Sequence, residues 1–195
     1  MGLAILILGL AVFLGGHALT TMRPQRAAVI ARVGEGAYKG LFSLAALVGI
    51  LLISYGFARY RAGGYIDLWV PPRWTRHVAA ALIWPAMICI VAAYIPGEIR
   101  RVLKHPMLVG VKLWALAHLL SNGDLGSIIL FGSILAWAVY DRISLKQRAD
   151  AGAPAVSAGG GYRNDFIAVA VGTLLYFALG LWFHPWVIGI RVFGS

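Results

Sequence analysis

The stretch "KHPMLVGVKLWALAHLLSNGD", Lys104–Asp124, decides how this chain is built. Its centre, Met107–Leu120, is apolar enough to enter a bilayer. Yet it opens on His-Pro, carries Lys112 and His118 inside, and leaves through Asn-Gly-Asp. As a helix those fourteen residues span about 21 Å, short against a hydrocarbon core of about 30 Å. A short, polar-studded span of this kind makes sense only if the rest of the chain is also in the membrane.

The composition says that it is. Of 195 residues, 61% are hydrophobic and 12% charged, with a mean hydropathy of +0.81. A soluble domain carries about 25% charged residues. The fold class is therefore all-α, a polytopic integral membrane helical bundle in one domain over residues 1–195. Working outward from the central stretch, runs of about 20 apolar residues fall at Gly2–Thr20, Gly36–Ala58, Thr75–Ile95, Leu125–Ile143 and Asp165–Phe183. With Met107–Leu120 they predict about six transmembrane helices. Lys39, near the start of the second, can snorkel to the interface. The stretch "GEIRRVLK" ahead of the short span has an amphipathic look and suits the interface. "DAGAPAVSAGGGYRND" predicts a flexible loop over about 149–163. Asp124 predicts a tight turn and the N-cap of the fifth span.

The net charge of +10 does not point to nucleic acid, because the basic residues sit in short loops between apolar runs. There they act as topology signals. The loops after spans one, three and five hold ten Lys and Arg residues, and the opposite side holds five. That bias predicts both termini on the periplasmic face of a bacterial inner membrane. Tryptophans in "DLWVPPRW" and "LWFHPWV" fit an interfacial aromatic belt. The N-terminal run lacks a basic n-region and reads as a retained first helix rather than a signal peptide. Leu6 stands where a myristoylation motif needs Ser or Thr. The single cysteine, Cys89, excludes an internal disulfide and any cysteine metal motif.

Ionisable residues at membrane depth default to functional candidates. Here they are His17, Lys112 and His118, with His105 at the mouth of the short span. His77 and His184 fall near the outer boundary and read as interfacial histidines. On a continuous helix His105 and His118 point about 220° apart, while Lys112 shares the His105 face. His118 shares its own face with Met107, Val111, Trp114 and Asn122. One stripe is therefore basic; the other is apolar and aromatic with one imidazole in it. A planar apolar cofactor with an axial histidine suits the second stripe. His17 is set similarly, after Gly15-Gly16, with Phe13 and Leu10 on its face and Thr20 and Thr21 following. Histidines on facing helices commonly hold haem iron. The alternative is that both histidines only hydrogen-bond between helices.

"FLGGHALTTMRP", the Lys104–Asp124 stretch and "GSILAWAVYDRISLKQR" resemble the NnrU family of bacterial membrane proteins, over nearly the whole chain. The resemblance implies a role linked to denitrification and nitric-oxide metabolism. The chain is also similar to the plant zeta-carotene isomerase, a membrane enzyme that uses haem b. That similarity implies haem b ligated by His17 and His118, with His105 matching its His-Pro histidine. The two stripes add Lys112, beside His105, for the cofactor's propionates, and Trp114 on the His118 face. If the chain is an enzyme, it implies a haem-dependent isomerase. The partners implied are the lipid bilayer and either nitric oxide or an apolar isoprenoid. One departure matters: where the isomerase has a cysteine linked to a ligand switch, this chain has Ala115. A second resemblance is to S-adenosylmethionine-dependent membrane methyltransferases, through Lys104-His105-Pro106 and Gly110. Their late glutamate pair is missing, since the only glutamates are Glu35 and Glu98. A non-catalytic membrane accessory factor is the third reading.

Overall fold

A computed structural model describes residues 1–150 and 161–193. Its elements are α1 (Gly2–Thr21), α2 (Arg23–Val33), α3 (Glu35–Ala62), α4 (Trp74–Tyr94), α5 (Glu98–Leu103), α6 (Pro106–Ser121), α7 (Leu125–Asp150) and α8 (Gly161–Ala178). A π-helix, Leu179–Ile188, continues α8. Among the described residues five helical segments are long and apolar enough to cross a membrane, α8 and its π continuation counting as one. The sixth, α6, is the shorter apolar helix of 16 residues. The fold is thus the helical membrane bundle the apolar runs predict. Large apolar side chains cover its surface; Leu41, Leu44, Leu47 and Leu51 of α3 are each more than half exposed. Hydrocarbon makes that exposure inexpensive, and the helices satisfy their own backbone groups.

Most of the loop expected over 149–163 lies outside the described residues, and its last residues, Gly161 to Arg163, belong to α8. The basic segment after α1 is a helix, α2, with Pro24 in its first turn and Gly34 closing it at φ +83°. Proline suits a first turn and glycine a stop. Apolar run length cannot find such a helix, because "RPQRAAVIARV" has no long apolar run.

The chain divides into two compact units. One comprises Met1–Val70 with Gly123–Ser144, the other Pro71–Asn122 with Leu145–Ser195.

In the first unit α1 and α3 run antiparallel at backbone contact. Gly2 meets Tyr60, Leu6 meets Gly56, Gly9 meets Ile53 and Phe13 meets Gly49, one register along the whole interface. A Cβ on Gly9 would stand 2.6 Å from the Ile53 nitrogen, and one on Gly49 2.8 Å from the Phe13 Cβ. Glycines seven apart on each helix therefore let the axes approach. Apolar side chains gain little by leaving lipid for one another, so close packing is what holds membrane helices together. The chain after α3 returns to the start of α7. The Leu68 and Trp69 amides donate to the Gly123 carbonyl at 2.9 and 3.2 Å, and the Leu125 amide donates to Ile66 at 2.9 Å. Asp124 caps α7 as its turn motif predicts. Its carboxylate accepts the Ser127 amide at 2.9 Å and the Ser127 hydroxyl at 2.6 Å, both residues being buried.

In the second unit α4 packs on both α6 and α8. Gly110 of α6 fits under the Ala86 carbonyl, and Gly172 of α8 lies against the Ile88 backbone. The Trp84 indole donates to the Thr173 hydroxyl at 2.9 Å. Val91, Ala92 and Ala168 form a small core under Ile95 and Ile99. The amphipathic stretch before α6 becomes α5, whose Glu98 and Ile99 amides donate to the Asp165 carboxylate at 3.1 and 3.0 Å.

Candidate functional site

His17 stands in the last third of α1, one turn from its end at Thr21. Its Nδ1 lies 2.7 Å from the Phe13 carbonyl oxygen. A carbonyl only accepts, so Nδ1 carries the proton and donates, and Nε2 keeps its lone pair. Three rings surround the imidazole. Phe13 is centred 4.2 Å away, Phe42 at 5.1 Å, and Trp137 stands edge-on at 5.2 Å. The Trp137 Nε1–H is buried without a hydrogen-bond partner. An orphaned buried donor costs about 1–3 kcal/mol, so this wall of the cage suits an acceptor brought by a ligand. Gly15 and Gly16, just before it, make no close approach to another helix. A Cβ on Gly15 meets nothing within 4 Å, and one on Gly16 would make ordinary contact with Phe42. The close approaches on α1 belong to Gly2 and Gly9. Thr20 and Thr21 turn their hydroxyls back to the His17 and Ala18 carbonyls.

His118 lies in α6, in the second unit. Its Nδ1 is 2.8 Å from the Trp114 carbonyl, and the Trp114 ring is centred 4.9 Å from the imidazole. The same tautomer follows, with Nε2 as the lone-pair nitrogen. The Asn122 side chain donates to the His118 carbonyl at 2.8 Å. Trp114 and Asn122 thus sit where the helical face argument puts them. Ala115 is fully buried. A further histidine joins this group: the His184 ring is centred 6.3 Å from that of His118, with 27° between the planes. Its Nδ1 is 3.0 Å from the Leu179 carbonyl. Sequence reasoning puts His184 at the interface and pairs it with nothing. A span of 66 residues separates it from His118, and no local signal bridges that.

His105 precedes the helix that carries His118. It is the N-cap of α6, at φ −131° and ψ 66°, and its carbonyl accepts the Leu108 and Val109 amides. Lys104 before it turns the chain at φ +62°. The 100° step of a continuous helix therefore starts at Pro106 and does not fix the direction of His105. Lys112 is half-buried within α6. Of the basic residues ahead of the helix, Arg100 donates to the Ala93 carbonyl at 3.3 Å, and Arg101 pairs with Glu98 at 2.5 Å. Gly110, the glycine of the methyltransferase-like motif, is used in packing against α4.

The donor chemistry fits haem better than a bare ion. Among the described residues no three His, Cys, Asp or Glu side chains gather to hold a metal. A structural zinc asks for about four protein donors. A haem brings four nitrogens of its own and asks the protein for axial imidazoles with the second nitrogen tied to an acceptor. His17 and His118 are both of that form.

The family model described as NnrU protein matches residues 5–192, nearly the whole chain. No curated protein and no solved structure matches it.

Proposed function

The chain belongs to the NnrU family, and on that premise we propose that it is a multi-pass protein of the bacterial inner membrane that binds haem b through histidine and serves nitric-oxide metabolism in denitrification. The observation that carries this is the contact between His118 and a backbone carbonyl of its own helix. Its Nδ1 lies 2.8 Å from the Trp114 carbonyl oxygen, which orients the ring, and a histidine with one ring nitrogen tied to an acceptor is the form that a metal-ligating histidine takes. His118 would hold the haem iron; His17, whose Nδ1 faces the Phe13 carbonyl in the same way, is the partner that the similarity to the isomerase implies. Trp114 gives the cofactor an aromatic neighbour, and Lys112 gives its carboxylates a cation. Bound haem would supply an iron that changes oxidation state. The chain supplies the imidazoles, holds them in one tautomer and keeps water away with apolar helices.

A second reading is a carotenoid-type double-bond isomerisation. Ala115 argues against it, since alanine cannot take part in a thiol ligand switch. The test is an absorption spectrum, oxidised and reduced, of protein purified from haem-replete cells. A Soret band with sharp visible bands on reduction is expected. Its absence overturns the haem reading. The Lys and Arg bias of the loops supports both termini in the periplasm, so a C-terminal reporter active only in the cytoplasm should stay silent.

A further inference from the structure

We infer that α2 carries a binding site for the phosphate head group of an anionic phospholipid, built by Arg23, Arg26 and Tyr38. The inference does not depend on the haem reading.

The first argument is position. A single residue, Met22, separates α2 from α1, and a single residue, Gly34, separates it from α3. Both neighbours are long and apolar enough to cross a membrane. The 11 residues of α2, about 16 Å of helix, therefore lie at the membrane surface between the ends of those two spans. On the topology proposed above, that surface faces the cytoplasm, the leaflet with the negative surface potential.

The second argument is charge and shape. α2 carries Arg23, Arg26 and Arg32 and no acid. Glu35, the first residue of α3, pairs with Lys39 at 2.8 Å. An open groove along α2 is lined by Arg23, Arg26, Ala27, Ile30 and Ala31. Steps of three, four and seven put Arg26, Ala27 and Ile30 on the face of Arg23. The groove thus offers two guanidinium groups at one end and an apolar floor beyond them. A guanidinium matches a phosphate with two parallel N–H donors. The apolar floor suits the first carbons of an acyl chain and gives nothing to a free phosphate.

The third argument is a donor with nothing to donate to. The Arg26 guanidinium lies over the Tyr38 ring, 5.4 Å from its centre. This cation–π contact ties the arginine to α3. Tyr38 is 7% exposed, and its hydroxyl has no hydrogen-bond partner among the described residues. Leaving a buried hydroxyl unpaired is unfavourable. A phosphate oxygen brought to Arg26 supplies the acceptor.

The test uses the full-length protein in detergent micelles, titrated with phosphatidylglycerol, phosphatidylcholine or inorganic phosphate and read by native mass spectrometry. Wild type is expected to retain phosphatidylglycerol in preference to phosphatidylcholine. Arg26→Gln is expected to lower that retention about fivefold. Arg23→Gln, at an exposed position, carries the same expectation should Arg26→Gln fail to fold. Tyr38→Phe is expected to weaken retention as well. Arg32→Gln removes the same charge outside the groove and is expected to change retention by less than about twofold. The inference is overturned if phosphatidylcholine is retained equally, if Arg32→Gln costs as much as Arg26→Gln, or if Tyr38→Phe holds lipid like wild type. Inorganic phosphate that displaces the lipid at equal concentration would make the ligand a free phosphate and overturn the lipid assignment.

Discussion

Two histidines of this chain are held by the same local device and live in different company. His17 and His118 each send Nδ1 back to the carbonyl four residues earlier. Around His17 the neighbours are three aromatic rings and an indole N–H with no acceptor. Around His118 they are one tryptophan and a second imidazole. The tautomer lock is available to any helical histidine. It prepares a ligand but does not say what the ligand binds. The company decides that, and it comes from distant parts of the sequence.

The sharpest way to break this comparison is to truncate each ring. His118→Ala should cost at least about tenfold in haem affinity, read as haem per protein after purification. His17→Ala should lower haem retention as well; if it leaves haem in place, His17 is no ligand and its aromatic cage serves something else.

A Cβ at Gly56 would strike the Leu6 backbone. Gly56→Val should therefore force α1 off α3 and destabilise the protein by about 3 kcal/mol or more, read by thermal unfolding in detergent. Gly15→Ala is the control, because a Cβ there meets nothing within 4 Å. It should be neutral or stabilise by up to about 1 kcal/mol. If both variants behave alike, the glycine register is not what holds that helix pair.

Trp137→Phe removes the orphaned indole N–H beside His17. With the cage unliganded it should stabilise the fold by about 1 kcal/mol. A loss of stability in protein as isolated would show that the indole serves a bound acceptor. The smallest effect belongs to Lys112→Met, which should weaken haem retention by no more than about fivefold and leave the axial-ligand spectrum unchanged. A changed spectrum would put Lys112 at the iron rather than at the cofactor's edge.

These contrasts follow what the sequence could and could not reveal. The spans were legible because each is a local apolar run. The Asp124 cap was legible because its partner, Ser127, lies three residues away. Trp114 and Asn122 on the His118 face were legible from the helical period. The α1–α3 register was not, because Gly2, Gly9, Gly49 and Gly56 stand out only after the helices are paired. Asp165 reads as the first residue of a span, and its actual partners, the Glu98 and Ile99 amides, are 67 and 66 residues away. His184 was placed at the interface because its neighbours are tryptophans and a proline. The π register that turns it is not written in apolar periodicity.

That Asp165 carboxylate also has a consequence in time. The amides it accepts belong to a six-residue helix made early, while the acceptor arrives with α8. Asn164 donates to the Pro96 carbonyl at 2.8 Å in the same place. As the chain emerges from its N-terminus, α5 has no such acceptor until the last helical segment is made. A contact of that sequence separation forms slowly. The elbow between α4 and α6 is therefore among the last parts of this protein to set.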